Sequence, residues 1–292
     1  MIISLFLIFA AMMVIVNSRA IKNRLFYRGK RDSLFSETLN EKRVLWVHLP
    51  KSNGDQRQQY PVVYLLDAEE HFRLFTWMIQ QVDGADGKRL FPDMIVMGIL
   101  NSKRARDLTP THSIINAKGE NENAFGPSGE GEKFIAFIEK ELIPHIGSNY
   151  PASSKRVLIG HSLGGLTAIN VLLNHTGMFD GYVASDPSMW WDNKMMLGQA
   201  SKALKEQRFE GRSLYVSIAN TMSADMVLEQ VRSDRSPKTN HIRSILELTD
   251  ILENSPGSGL RFDYKYYKEH NHNAVPDITM YDGLRFLMEG VD

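Results

Sequence analysis

A serine between two glycines occupies the centre of the pentapeptide Gly160-His161-Ser162-Leu163-Gly164, and Gly165 follows it. The apolar run 156–159 before it is typical of a short strand, and residues 166–174 after it are typical of a helix. In this context the pattern G-x-S-x-G indicates a nucleophile on a sharp strand-to-helix turn. Glycine is needed on both sides because a side chain would crowd the turn or the helix packed against it. We therefore predict that Ser162 is a nucleophile.

Such a nucleophile needs backbone donors for the oxyanion that forms on the attacked group. The N–H of Leu163 would begin the helix, where unpaired donors and the positive end of the helix dipole favour negative charge. A second donor is expected just after the third strand, which makes Ala68 or Glu69 the candidate. Alternatively, the chain only turns at the end of this strand, and no oxyanion donor is located there.

A serine hydroxyl also needs a general base, which in this chain order is a histidine after the last strand. His270 and His272 follow the strand-like run 262–268 directly. They could instead be two solvated histidines or an H-x-H metal pair. No carboxylate or third histidine stands near them at ligand spacing, so we expect no metal and no organic cofactor.

The third member of such a site is a carboxylate that orients the histidine. Asp225 follows the strand-like run 213–219 and has the usual position for this acid. Asp186, at the end of the preceding strand, and Glu229 remain alternatives. A site without an acid is also compatible with the sequence.

Two arginines and two tryptophans are candidates for binding a substrate. Arg104 and Arg106 stand at the base of a polar segment, 103–131, and their planar guanidinium groups suit carboxylate, phosphate or polyphenolic oxygens. They could equally brace the loop. Trp190 and Trp191 follow a strand end and could form an aromatic wall, although tryptophan is also frequent in cores.

These residues require a scaffold in which strands and helices alternate, and the chain has this pattern from about residue 42. It predicts an α/β protein with a mostly parallel sheet covered by helices on both faces. The strand candidates are 43–49, 62–66, 94–100, 156–160, 181–185, 213–219 and 262–267. The helix candidates are 71–81, 131–143, 163–174, 194–207, 239–252 and 278–288, and we expect Pro144 to kink or end the second.

Composition excludes several classes of protein. The chain has 292 residues, of which 43% are hydrophobic, so it can bury a large core. Its 34 basic residues balance 34 acidic ones, and this balance predicts no nucleic-acid partner. Without cysteine there is no thiol nucleophile and no disulfide. Small-molecule chemistry is the function class that remains.

The N-terminus carries an apolar run, 2–16, that is short for a membrane span but suits a signal peptide. Ser18-Arg19-Ala20 could end it as a cleavage site, although basic residues follow the run and none precedes it. We therefore expect residues 1–20 to be a signal peptide or a membrane anchor. The protein would be exported, periplasmic or secreted, or anchored by this segment, and the anchor would be its only membrane contact.

Five motifs together resemble the family named "Putative esterase", which includes siderophore trilactone esterases, esterase D and mycolyltransferases. The resemblance spans about residues 37–290, which we take as one domain. The motifs occur in the order found in the family and lie at 60–68, 106–110, 160–165, 186–191 and 272–276.

The resemblance implies an α/β-hydrolase fold with Ser162 as nucleophile. It implies His272 as base, because the family histidine stands just ahead of a Val-Pro pair such as Val275-Pro276. The second oxyanion donor would be the N–H of Glu69. Ala68 stands where glycine is usual in the family, which requires an ordinary backbone conformation at that position.

The expected function is a serine carboxylic ester hydrolase that works through an acyl-enzyme on siderophore-like or other small acyl esters. Ser162 would attack, His272 would transfer the proton and Asp225 would orient the imidazole. The alternatives are an acyltransferase with the same machinery and a catalytically silent member that binds a ligand.

Overall fold

The structure, a computed structural model, describes residues 29–50, 57–84, 87–222 and 226–289. Within these ranges eight strands form one sheet in the order β1-β2-β4-β3-β5-β6-β7-β8. The strands are β1 Lys30–Ser36, β2 Glu41–His48, β3 Tyr60–Leu65, β4 Ile95–Ile99, β5 Ala152–His161, β6 Gly181–Ser185, β7 Ser213–Ala219 and β8 Arg261–Tyr267.

The strands from β3 to β8 run parallel, whereas β1 and β2 are antiparallel to their neighbours. In the register of the central strands, Leu65 pairs with Ile159, and Ser185 pairs with both His161 and Ser217. The carboxyl ends of β3, β5, β6 and β7 therefore meet at one edge of the sheet. In open α/β sheets this is the edge where ligands bind.

Helices cover both faces of this sheet. The longer helices are α1 Ala68–Gln81, α5 Leu163–Asn174, α6 Trp191–Glu206, α8 Asn240–Glu253 and α9 Val275–Met288. The shorter ones are α2 Arg104–Leu108, α3 Gly131–Phe137, α4 Ile143–Asn149 and α7 Leu228–Val231.

Two apolar clusters show how the helices are divided between the faces. On one face, Phe72 of α1 and Leu284 of α9 belong to a cluster with Val63 of β3. On the other face, residues of α3, α5, α6 and α8 form a larger cluster with Leu158 of β5. The predicted α/β class and the α/β-hydrolase fold are confirmed.

Two features differ from the sequence predictions. β1 was not predicted, because its seven residues include three charged side chains, Lys30, Arg31 and Asp32. The helix was expected to kink or end at Pro144, yet α4 continues to Asn149. A π-helical segment, Ile138–Leu142, precedes α4 and widens the helix there. Pro144 then falls in the first turn of α4, where a missing N–H costs no hydrogen bond within that turn.

None of the helices in the described ranges is both long and apolar enough to cross a membrane. The apolar run 2–16 lies outside those ranges. The signal peptide or anchor, and the exported or anchored location, therefore stay predictions.

Candidate active site

Ser162 lies at the turn between β5 and α5, in the strained backbone conformation φ 58°, ψ −114°. Two of the glycines around it lie too close to neighbouring atoms to carry a side chain. A Cβ on Gly160 would lie 2.2 Å from the carbonyl oxygen of Gly164, and one on Gly165 would lie 3.0 Å from Cα of Pro187. The predicted need for glycine before the serine is therefore confirmed at Gly160, and the tight contact after it lies at Gly165, whereas a Cβ on Gly164 would be no closer than 3.3 Å to any neighbouring atom.

Hydrogen bonds to the turn after β6 fix the backbone of Ser162. Its N–H donates to the carbonyl oxygen of Ser185 at 2.9 Å, and its own carbonyl oxygen accepts from the N–H of Ser188 at 3.0 Å. The side chains also meet, with 3.2 Å between Ser162 Oγ and Ser188 Oγ. Ser188 is itself buried, so the nucleophile is held against a rigid part of the turn.

Asp186, the first residue after β6, is a fully buried carboxylate. Its Oδ1 accepts the N–H of Ala219 at 2.8 Å, and its own N–H donates to the carbonyl oxygen of Ser217 at 3.1 Å. Oδ2 accepts from Nδ1 of His272 at 2.5 Å. This bond fixes the imidazole with its other nitrogen, Nε2, available for a proton transfer.

A second histidine binds the same carboxylate oxygen. Nε2 of His241 lies 2.8 Å from Asp186 Oδ2. Burial alone would raise the pKa of Asp186, but the charge and hydrogen bond of His241, with the hydrogen bond of His272, hold that pKa well below its usual range. The carboxylate is therefore ionised at neutral pH although no water reaches it.

These findings change the assignment of the acid. Asp225, which the sequence favoured, lies outside the described residues. Glu229 is exposed on α7. The carboxylate that contacts His272 is Asp186, one of the alternatives. The sequence pattern did not favour it because Asp186 follows β6, whereas the usual acid follows the next strand.

The two candidate bases have different surroundings. The ring of His270 packs edge-on against Tyr267, with 6.1 Å between the ring centres. The backbone carbonyl oxygen of His270 accepts a hydrogen bond from the N–H of Asn220. His272 instead binds Asp186 and lines the same cavity as Ser162. The geometry therefore favours His272 over His270.

His161, between Gly160 and Ser162, contacts the loop that carries the base. Its Nε2 lies 2.9 Å from the carbonyl oxygen of His272, and the two ring centres are 4.5 Å apart. Burial, followed by the charges of His272 and His71, lowers the pKa of His161 to about 3. A neutral His161 can donate this hydrogen bond at any physiological pH.

Backbone donors lie at the starts of two neighbouring helices. The N–H of Leu166 makes the first hydrogen bond of α5, to the carbonyl oxygen of Ser162. The N–H of Leu163 comes before it and has no acceptor within the helix. The start of α1 is close by, because a Cβ on Gly164 would lie 3.3 Å from Asp67 Oδ2.

Glu69 is in the first turn of α1, at the positive end of the helix dipole, and its backbone N–H stays the predicted second donor. Its carboxylate accepts the backbone N–H of Asn101 at 2.7 Å, which ties α1 to the segment after β4. The left-handed backbone in this turn belongs to Asp67, with φ 50°, whereas Ala68 begins the helix. The absence of glycine at Ala68 is therefore tolerated, as predicted.

Arg104 holds the α1 turn in place. Its Nε and Nη2 bind the two oxygens of Asp67 at 2.7 and 2.8 Å, and Nη2 also lies 3.3 Å from the carbonyl oxygen of His161. The side chain remains 37% exposed. Arg104 thus braces two turns of the site, and its contact with a substrate stays a prediction.

The structure corrects the substrate-binding prediction for Arg106. Its guanidinium is buried and binds both oxygens of Glu41 as well as Asp107. Arg43 donates to the other oxygen of Asp107 at 2.6 Å. Arg106 is therefore part of an ionic network between β2 and α2 and has no free face for a ligand.

The two tryptophans also have different roles. Trp190 lines a cavity of about 280 Å³ that also contacts Lys118, Ser162, His241 and His272. Trp191 is fully buried, and its Nε1 donates to the carbonyl oxygen of Thr111 at 3.2 Å. The prediction of an aromatic wall is therefore compatible with Trp190, whereas Trp191 is a core residue.

One cluster in the described residues could hold a metal ion. Ligand atoms of Asp186, His241 and His272 all lie within 4.8 Å of one another. This grouping has no signature in the sequence, because His241 is far from the other two residues along the chain. Imidazole and carboxylate are suitable zinc ligands, but the two hydrogen bonds to Asp186 already satisfy these groups.

Two residues of the site were not predicted. His241 comes from the first turn of α8, and Ser188 from the turn after β6. Neither belongs to a motif with a chemical signature. The only available signal for Ser188 was its place two residues after Asp186, in a segment that was already singled out.

Comparison with known proteins identifies the family of this chain. The family described as "Putative esterase" matches residues 36–273. The ferri-bacillibactin esterase BesA of Bacillus subtilis is 27% identical over 259 residues, which cover 85% of this chain and 86% of BesA. The siderophore triacetylfusarinine C esterase of Aspergillus fumigatus is 36% identical over 201 residues, which cover 64% of this chain and 65% of that protein.

A solved structure agrees with these relatives. The IroE-like serine hydrolase of Shewanella oneidensis superposes with a TM-score of 0.79 at 33% identity, covering 88% of this chain and 79% of the other. The family match covers most of the chain and includes the turn at Ser162. The protein is a carboxylic ester hydrolase and belongs to the "Putative esterase" family, with the α/β-hydrolase fold.

Proposed function

We propose that this protein hydrolyses esters of siderophores or of similar small acyl compounds through an acyl-enzyme on Ser162. The observation that carries the proposal is the placement of His272, bound to the buried Asp186, in the same cavity as Ser162. A nucleophile, a base and an orienting acid are the parts that acyl transfer to serine requires.

In the first step, Ser162 Oγ bonds to the ester carbonyl carbon, and its proton passes to Nε2 of His272. Asp186 stabilises the imidazolium that results. The backbone N–H groups of Leu163 and Glu69 would hold the oxyanion. The ester C–O bond then breaks, and the alcohol leaves with the proton from His272.

In the second step, water takes the place of the alcohol. His272 accepts a proton from the water, whose oxygen bonds to the acyl carbon of the acyl-enzyme. The bond between this carbon and Ser162 Oγ breaks, and the proton returns to the serine. The products are the free carboxylic acid and the original enzyme, and the cycle uses no metal or cofactor.

The resting geometry requires one movement. Among the described residues, the hydrogen-bond partner of Ser162 Oγ is Ser188 Oγ and not His272 Nε2. Ser162 and His272 line the same cavity, so the proposed reaction requires the hydroxyl to exchange Ser188 for the imidazole as its partner. Catalytic hydrogen bonds are often long or misaligned without substrate and shorten in the complex.

The substrate class rests on the relatives and on the cavity. BesA and the triacetylfusarinine C esterase are both named for siderophore esters. The cavity beside Ser162 is lined by Trp190 and Lys118 among other residues. An aromatic ring and a cation suit an acyl group that carries phenolic or hydroxamate oxygens.

A labelling experiment tests the mechanism first. A fluorophosphonate probe should modify the wild-type protein once, at Ser162, and should not modify folded Ser162→Ala protein. Absence of labelling in the folded wild type would contradict an activated serine and favour a silent binding protein.

A substrate comparison then tests the class of ester. Enterobactin and triacetylfusarinine C, each with and without Fe³⁺, are compared with p-nitrophenyl esters of increasing chain length. We expect the highest kcat/KM on a siderophore ester. Higher values on every simple ester would reject the substrate class and leave the mechanism intact. Product analysis with an added alcohol distinguishes hydrolysis from acyl transfer.

A further inference from the structure

The geometry points to His241 as a positioning residue for the proposed reaction, acting through Asp186. This inference rests on the proposed function, because it assigns a second histidine to the acid of the same site. Three features carry it: the contact of His241 with the carboxylate, the nitrogen that makes this contact, and the burial of the acid.

The first feature is that two imidazoles share one oxygen atom. Asp186 Oδ2 lies 2.8 Å from Nε2 of His241 and 2.5 Å from Nδ1 of His272. The two rings are perpendicular, at 87°, with 4.9 Å between their centres. Two N–H groups can therefore reach different lone pairs of this oxygen without a clash between the rings.

The second feature is that the two histidines use different nitrogens. His272 binds Asp186 through Nδ1, so its Nε2 is free to exchange a proton with Ser162. His241 binds Asp186 through Nε2, so the nitrogen on the far side of its ring is Nδ1. Only His272 therefore has the orientation expected of the base, and His241 has a supporting role.

The third feature is the burial of Asp186, which is 0% exposed. A buried carboxylate must receive hydrogen bonds from the protein, because no water can supply them. The N–H of Ala219 binds Oδ1 at 2.8 Å. Without His241, His272 would be the one side chain among the described residues that binds Oδ2, so the base alone would have to fix the oxygen that orients it.

His241 thus performs two tasks. Its N–H fixes the rotation of the Asp186 carboxylate, so that the oxygen facing His272 keeps its position. It also favours the ionised form of this buried acid, together with His272. Both effects stabilise the imidazolium on His272, which exists only during the reaction, so the loss should affect kcat more than KM.

Three variants of His241, with two control variants of another histidine, separate this role from simple packing. His241→Ala and His241→Met remove the donor, and methionine keeps much of the side-chain volume. His241→Gln restores an N–H at a similar distance from the backbone. The control is His145, on α4, whose Nε2 also lies 2.8 Å from a carboxylate oxygen, that of Asp32 on β1. His145→Ala and His145→Gln therefore remove or retain the same kind of bond away from the site.

The measurements are the rate of fluorophosphonate labelling at Ser162, kcat and KM on one ester, and the melting temperature. We expect His241→Ala and His241→Met to lower kcat and the labelling rate by about 10- to 100-fold, as for the loss of a hydrogen bond to a charged group. KM should change little. His241→Gln should recover most of both rates, and the His145 variants should leave both unchanged.

The outcomes that overturn the inference are distinct. If His241→Ala and His241→Met are folded and label as fast as wild type, His241 does not position the acid. If the variants raise KM with kcat unchanged, His241 binds substrate instead. If His241→Gln is as slow as His241→Met, the bond to Asp186 is not the cause. Failure of the wild type to label at all would reject the proposed function itself.

Discussion

His161 Nε2 is 2.9 Å from the carbonyl oxygen of His272, so the residue next to the nucleophile holds the loop of the base. This bond links the turn after β5 to the loop after β8. Since burial lowers the pKa of His161 to about 3, the imidazole is neutral and keeps Nε2–H as the donor. The middle residue of the G-x-S-x-G pattern therefore has a structural task in this chain.

Replacing His161 should reveal this task in turnover. His161→Leu removes the donor and leaves the carbonyl oxygen of His272 unpaired, so we expect kcat to fall by about 3- to 10-fold. His161→Gln can still donate and should stay within about twofold of wild type. Steady-state kinetics on one ester checks both variants. Equal values for the leucine and glutamine variants would show that the hydrogen bond is not needed.

His161 should also make stability depend on pH. Its pKa in the folded protein, about 3, is below the value of 6.5 for an unperturbed histidine, so the unfolded chain binds the extra proton between these values. The free energy of unfolding contributed by neutral His161 is fully present above pH 6.5 and decreases toward pH 3, by up to about 1.4 kcal/mol per pH unit. Denaturant unfolding of wild type and His161→Gln at pH 7 and pH 4.5 tests this. The variant should lose less stability on acidification, and an equal loss in both proteins would contradict the expectation.

Asp186→Asn should greatly reduce turnover. An amide cannot stabilise the imidazolium on His272 and presents an NH₂ group that favours the wrong tautomer, and such a change can cost about four orders of magnitude in kcat. The melting temperature should also fall, because Asp186 accepts three N–H groups while buried. Glu229→Gln is the control and should have nearly wild-type kcat. A fully active Asp186→Asn enzyme together with an inactive Asp225→Asn enzyme would restore the assignment favoured by the sequence.

The conformation of Ser162 predicts an unusual stability order. With φ 58° and ψ −114°, any side chain at this position is strained by about 1–3 kcal/mol. Glycine relieves the strain but loses about 0.5–1 kcal/mol through its greater freedom in the unfolded chain. Ser162→Gly should therefore be more stable than Ser162→Ala, by about 1 kcal/mol, while both are inactive.

The control for this comparison is Ser201, within α6. There alanine should be more stable than glycine by about 1 kcal/mol, because glycine is a poor helix former. Thermal and urea unfolding of the four variants measures both differences. If alanine were the more stable replacement at Ser162 as well, the backbone strain at this turn would be negligible.

The parts of the fold that could be predicted are those with strong local patterns. The bounds of β6, β7 and α5 agree with the sequence prediction, because a dense apolar run between turn residues identifies a buried element. β1 could not be predicted in this way. It is an edge strand with three exposed positions, and its order comes from pairing with β2, for example between Leu34 and Arg43.

Site residues could be predicted where a local sequence motif implies a chemical role. They could not be predicted where segments distant along the chain come together. Ser162 followed from the glycine spacing, and the 2.2 Å distance at Gly160 explains the first of its glycines. The contact of Asp186 with His241 depends on the packing of α8 against β7 and α6, which no local pattern records. Choosing among the acids therefore required the tertiary structure.

The ionic network of Arg106 has a consequence for local opening of the protein. Arg43 and Glu41 belong to β2, whereas Arg106 and Asp107 belong to α2, at the base of the long segment that reaches the cavity. Because Arg43, Arg106 and Asp107 are buried, separating the two elements would leave ions without partners, at a cost of about 3–5 kcal/mol. The edge of the sheet and the segment over the site should therefore exchange their amide hydrogens as one cooperative unit. A substitution that breaks the network in β2 would then also open the segment that covers Ser162.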